Sequence, residues 1–341
     1  MENAQLVKWG LCDPVSLRRE RTMPIFRISF AAVLAALMMI PPCLSQSALP
    51  SEGAKLLQAG KLSEARDAFE AVLSADGPNP EALAGEVQSS ERLALEARAA
   101  GRMGDALQTL VRAQQYAPQN ARLLYDLGIL EDQMGLFYDA DKALATAMVL
   151  TPDEPDVLYA VARVKMDLGQ LTAAEEKMKA YLKLRPMDAS AQFGLGRIYQ
   201  IGLEFGKARA AFLRSIELQP VQTESYFELG DLALKQGDYE EAAAQFKKTL
   251  DRDAKHGGAL EGSGEISFKQ KQYEQARAFL ERAIAASPEY APSHYYMGLT
   301  LARLGRKEES ARELELATKL TEAEKKQAGS RIQQAPETKP E

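Results

Sequence analysis

A chain of 341 residues has room for two ordinary globular domains or for one long repeat array. Two cysteines and two histidines nearly rule out a zinc, haem or iron–sulfur centre and a disulfide framework. A net charge of −6 without a basic run argues against a nucleic-acid partner, because phosphate neutralisation needs clustered lysine and arginine.

The chain opens on an address rather than a fold. Residues 28–40, ISFAAVLAALMMI, carry no charge and follow Arg18, Arg19, Arg21 and Arg27. A helix of that length is about 20 Å long, short of the ~30 Å hydrocarbon layer. Pro41 and Pro42 end it, and Cys43-Leu44-Ser45 and Ser45-Gln46-Ser47 both offer the small-x-small pattern that a signal peptidase needs. The pattern predicts a secretory signal peptide over 1–47 and a periplasmic or secreted mature chain. The alternative is an uncleaved anchor, the one route by which the sequence reaches a membrane. Ile40, Pro41 and Pro42 make a poor lipobox before Cys43, and Met23 offers a second start with a compact leader. Cleavage removes both cysteines, five basic and three acidic residues, so the charge moves from −6 to −8.

A period of 34 residues organises the rest. Ala106, Ala140, Ala174, Ala208, Ala242, Ala276 and Ser310 keep it, as do Gly128, Ala162, Gly196, Gly230, Gly264 and Gly298. A larger residue follows each alanine by four: Leu110, Leu144, Met178, Phe212, Phe246, Leu280 and Leu314. Such a unit reads as two helices that approach closely at the small residues. Gly60, Gly101, Gly135, Gly169, Gly237 and Gly305 fall between the helices, where a left-handed residue closes the first one. Pro118, Pro152, Pro186, Pro220 and Pro288 end the second. The units run over about 46–79, 80–120, 121–154, 155–188, 189–222, 223–256, 257–290 and 291–324.

Three stretches depart from the pattern. Ala65 and Ala106 are seven residues too far apart, and Asn79-Pro80-Glu81 is a good helix start, so one long helix is predicted over about 80–100. The alternative is two shorter helices broken near Gly85. Gly257, Gly258, Gly262 and Gly264, with Lys271 at a turn-glycine place, suggest a soft joint near 254–265; the alternative is that these glycines allow tighter packing. Thr321-Glu322-Ala323-Glu324 has capping-box spacing, which predicts a short polar cap helix ahead of a disordered tail from about Gly329 within 325–341.

These residues resemble the tetratricopeptide repeat family. Seven units fit in phase over 87–324, and an eighth, 46–79, fits through Gly53, Gly60, Ala65 and Phe69. The resemblance implies an all-α, right-handed solenoid of about eight helix–turn–helix units. It implies first helices that line a concave groove and a protein- or peptide-binding role.

On that frame the fifth place of each first helix faces the groove and holds Tyr125, Tyr159, Phe193, Phe227, Glu261 and Tyr295. The ninth place holds Arg163, Arg197, Asp231 and Glu265. An extended peptide with apolar side chains and an acidic segment would suit the arginine stretch. Aromatics at this place also serve packing, in which case the ladder is core. Relatives that hold chaperone tails use a lysine–asparagine–arginine clamp; here those places carry tyrosine, phenylalanine and mixed charge, so that specificity is not carried over.

Catalytic chemistry has little chain left to occupy. His256 closes one unit and His294 opens another, neither with a His, Cys or acidic partner at ligand or triad spacing. Asp251-Arg252-Asp253 is no calcium loop, since Lys255 and His256 stand where an oxygen ligand and glycine are needed. Gly262-Ser263-Gly264 has no preceding strand and no following lysine, so it is no phosphate loop. The expected protein is a non-catalytic scaffold of the cell envelope or exterior, without cofactor or metal. The rival is a membrane-tethered assembly subunit of an outer-membrane, pilus or polysaccharide-export machine.

Overall fold

The computed structural model describes residues 51–333, with side chains to 326. The expected signal peptide, its cleavage sites and Cys43 lie outside the described residues, as do residues 334–341 of the tail. Sixteen helices and no strand fill the described residues: α1 Glu52–Gln58, α2 Leu62–Asp76, α3 Pro80–Ala99, α4 Met103–Tyr116, α5 Ala121–Gln133, α6 Phe137–Leu150, α7 Pro155–Asp167, α8 Leu171–Leu184, α9 Ala189–Ile201, α10 Phe205–Leu218, α11 Glu224–Gln236, α12 Tyr239–Arg252, α13 Gly257–Lys269, α14 Tyr273–Ala286, α15 Ala291–Arg303 and α16 Lys307–Gln333.

The helix starts are written locally. The Asn79 side chain accepts from the Ala82 N–H at 3.0 Å, and that of Asn120 from Leu123 at 3.1 Å. Asp188 accepts from Ser190 and Ala191, and Pro155 opens α7 where no intrahelical N–H is needed. From Asn79 one unbroken helix of 20 residues runs to Ala99, against 13 in α5, so the seven-residue excess lengthens α3 without a break at Gly85.

The turns inside the units are equally local. Gly60, Gly101, Gly135, Gly169, Gly237 and Gly305 all take the left-handed conformation, with φ between 71° and 79°. Leu203 and Lys271 occupy the same place at φ 59° and 62°. A side chain there crowds its own carbonyl, at a cost of about 1–2 kcal/mol. Leu203 is also 73% exposed, so its side chain returns little. Leu203→Gly is therefore expected to raise stability by about 0.5–1 kcal/mol after the backbone entropy of glycine is deducted, read as a higher urea midpoint.

Packing runs from neighbour to neighbour. Each helix packs on the next, and most first helices also touch the first helix of the following unit. The core is accordingly a series of local clusters rather than one centre. Ala106, Ala140, Ala174, Ala208, Ala242 and Ala276 are fully buried. Ser310, at the same place, resolves its polar atom by donating to the Gly298 carbonyl at 2.8 Å. Where a glycine stands before the small residue, it meets the large residue after it: a Cβ on Gly196 would lie 2.5 Å from the Phe212 ring.

Two expectations change here. The glycines of 257–264 are close-packing sites: an added Cβ would lie 2.8 Å from Ser287 at Gly257, 2.7 Å from Phe227 at Gly258, 2.4 Å from Phe246 at Gly262 and 2.6 Å from Leu280 at Gly264. Packing of that kind explains the glycines without a joint. Nor does a separate cap helix start at Thr321. Its hydroxyl donates to the Ala317 carbonyl at 2.9 Å inside α16, which continues without interruption to Gln333. The second helix of the last unit thus supplies the outer face itself, and the tail expected to be disordered from Gly329 is helical as far as 333.

Candidate peptide-binding face

The first helices carry the aromatic row. Tyr125, Tyr159, Phe193 and Phe227 are all half-buried. One side of each rests on the array: the ring of Tyr159 lies 5.2 Å from Tyr181, Phe193 5.6 Å from Phe212, and Phe227 6.0 Å from Phe246. Phe227 also meets the His256 ring at 4.6 Å, and the Arg122 guanidinium lies over Tyr125 at 5.7 Å. Tyr295 is 48% exposed and stands edge-on to Tyr296 at 5.4 Å. Each ring is therefore both packing element and available surface, which joins the two alternatives that the sequence left open.

The charges at the ninth place are partnered. Arg163 donates to the buried Asp132 carboxylate at 2.9 Å, reaching back one unit. Arg197 reaches forward to the buried Glu228 at 2.5 Å. Gln200 donates to the second Glu228 oxygen at 2.8 Å and to Asp231 at 3.1 Å. Lys235 pairs with Asp231 at 2.6 Å, and Lys269 with Glu265 at 3.2 Å. The two arginines still present N–H groups outward, with side chains 45% and 42% exposed, but each already neutralises a buried acid. Removal of either would strand its partner in the interior. Asp132, Glu228 and Gln200 are the residues that sequence reasoning missed. The signal was available: all three contacts join residues 31 apart, one repeat less about one helical turn.

Glu261 breaks the row. It stands at the fifth place between Phe227 and Tyr295, only 8% exposed. Burial first, and then the charges of Glu265 and Asp231, push its carboxyl up to about 8 from an ordinary 4.5. The unfolded chain loses this proton near pH 4.5 and the folded chain holds it until about 8, so stability falls as pH rises between those values. Glu261→Gln mimics the protonated acid. It is expected to melt with the wild type at pH 4.5 and at a clearly higher temperature at pH 8.5.

The histidines are structural, and one reading of them changes. His294 is buried, with Nδ1 2.6 Å from the Glu313 carboxylate and Nε2 2.8 Å from the Pro288 carbonyl. It thus has an acidic partner 19 residues away, brought there by the antiparallel packing of α15 on α16. His256 accepts the Ala259 N–H at 3.1 Å and so caps α13, and its Nε2 lies 3.7 Å from the Glu224 carboxylate, so it too has an acidic neighbour. Among the described residues no three His, Cys, Asp or Glu side chains gather as a metal site, and no helix is long and apolar enough to cross a membrane.

Comparison with known proteins agrees with this architecture. A tetratricopeptide repeat model matches residues 159–223, 202–256, 227–291 and 268–325, and a second model of the same description matches 97–164. The chain belongs to the tetratricopeptide repeat family. It is similar in fold to a tetratricopeptide repeat protein from Parabacteroides merdae ATCC 43184, at 18% identity and a TM-score of 0.54, over 73% of this chain and 96% of the other. It is also similar to PilW, a widely conserved type IV pilus biogenesis factor, at 17% identity and 0.56 over 63% and 98%. A third likeness is to a chain of the APC/C hetero-tetramer Cut9–Hcn1, at 15% identity and 0.57 over 79% and 51%. No curated protein matches the chain.

Proposed function

We propose that the protein is a non-catalytic scaffold that binds a partner protein or an extended peptide along its first helices, in the cell envelope or exterior. The observation that carries this reading is the row of half-buried rings, Tyr125, Tyr159, Phe193 and Phe227, each anchored on the core with a face left over. Rigid aromatics of this kind supply large contact area at small entropy cost. The charged residues beside them, Arg163, Arg197, Asp231 and Glu265, set orientation more than strength, since their ion pairs are already made. Localisation rests on the leader read in residues 1–47.

The test is a crosslinking pull-down from the envelope fraction of the cell that makes the protein, with affinity measured for the captured partner. Tyr295→Ala is expected to weaken binding roughly tenfold, as loss of an exposed anchor does, with Phe193→Leu preserving the fold and losing a similar amount. The structure argues against Arg197→Glu as a clean probe, because it would place two acids together at Glu228. Unchanged affinity in both aromatic variants would remove the binding face from the first helices. N-terminal sequencing of the soluble fraction decides the location: a mature end at Gln46 or Ala48 supports a released chain, and recovery of the uncleaved chain in membranes supports a tethered assembly subunit.

A further inference from the structure

We propose that Glu261 forms a subsite for one basic side chain, lysine or arginine, of the segment that lies along the first helices. The inference rests on the binding-face reading above and specifies its chemistry. Three observations carry it. The first is position: between Tyr125 and Tyr295 a carboxyl replaces a ring at one step, the other acid at this place being Glu91, one repeat ahead of Tyr125. The second is the missing partner. Glu261 is more than nine-tenths buried, yet among the described residues no donor or cation meets its carboxyl. Its oxygens are not wholly enclosed, so the carboxyl keeps an opening through which a cation at this face can reach it.

The third is the surroundings. Asp231 on α11 and Glu265 on α13 add negative potential at Glu261, and each already holds its own lysine, Lys235 and Lys269. These pairs are closed, which leaves Glu261 as the open acid. The charge of Glu261 also helps to raise the hydroxyls of Tyr290 and Tyr296, after burial. A carboxyl set between two ring-bearing steps of the row, Phe227 and Tyr295, suits an ammonium or guanidinium group, which gains from ring faces as well as from the acid. An acidic or neutral side chain would leave the carboxyl unpaired.

The groups facing Glu261 also set its pH behaviour. Asp231 and Glu265 favour the protonated acid, together with burial, and a bound cation favours the ionised one. Binding then releases the Glu261 proton, so affinity for a basic segment rises with pH up to about 8.

The probe is a displayed library of random dodecapeptides, selected on the wild-type chain and on Glu261→Gln at pH 8. The expected result is that the wild type enriches peptides with lysine or arginine at one fixed step from their apolar residues. Glu261→Gln should still enrich the apolar pattern but lose the basic residue. A synthetic peptide from the wild-type selection should bind the wild type more than tenfold more tightly at pH 8 than at pH 6, with a flat profile on Glu261→Gln. Enrichment without a basic preference, or a basic preference that survives Glu261→Gln, overturns the subsite and leaves the binding face standing. Failure to enrich any peptide, or enrichment of peptides indifferent to Tyr295→Ala and Phe193→Leu, overturns both. Glu261→Gln adds no new charge to the site, so misfolding does not confuse the outcome; matching thermal melts at pH 4.5 check this.

Discussion

Phe212→Ala is expected to cost about 3–5 kcal/mol of stability, read in urea denaturation. Phe212 is fully buried on α10, with Gly196 of its own unit against one edge and the Phe193 ring tilted against it at 5.6 Å. The surrounding cluster draws on three consecutive units, from Leu158 to Leu232. Deletion of the ring leaves a cavity among helices that are held from both sides, so collapse is resisted and the cost lies toward the upper end. Because each unit contacts only its neighbours, the loss is concentrated at units 155–188, 189–222 and 223–256. The unfolding transition should therefore broaden as well as shift, as hydrogen exchange over α9 and α10 would show directly. Phe193→Ala, on a half-buried ring, is expected to cost about 1–2 kcal/mol. A loss below 1 kcal/mol for Phe212→Ala would mean that the array is not held by these local clusters.

Gly262→Ala is expected to destabilise by about 1–3 kcal/mol, although alanine is the better helix former by about 0.5–1 kcal/mol. The new methyl would sit 2.4 Å from the Phe246 ring. On the opposite side Gly230 already presses the same ring, at 2.6 Å from its ideal Cβ. Phe246 is thus clamped between α11 and α13 and has no free direction in which to move. The coupled test is Phe246→Leu: combined with Gly262→Ala it should cost less than the two single losses added together, a coupling that independent sites would not give. Gly206→Ala on α10 is the control, since its Cβ would meet nothing within 4 Å and only the helix preference remains. A stabilised Gly262→Ala would show that the ring relaxes more readily than its two glycine walls allow.

How much of this was legible depended on whether the feature repeats. Ala174, Gly196 and Phe212 are each one instance of a place filled seven or six times, so the phase of the helices, their turns and their small-residue contacts could be read without coordinates. Asn79 and Pro80 announced the long helix because a helix start is chemistry within four residues. Thr321 misled for the complementary reason. Its spacing fits a cap, but a preceding helix that has not ended gives it no free N–H to satisfy, and the hydroxyl turns back to Ala317.

The sequence by itself determined the class of fold, the number and order of the repeats and the residues that come close within each one, because these follow from local periodicity and from the size of side chains. Only the tertiary structure decided which charges are free. Arg163, Arg197 and His294 look available in the chain and are held by Asp132, Glu228 and Glu313. Glu261 looks like one acid among several and proves, like Glu131 among the described residues, to be buried with no donor or cation on its carboxyl. The difference is physical: burial of apolar surface tolerates many neighbours, whereas an ion pair exists only at contact distance, and that distance is set by how successive units stack.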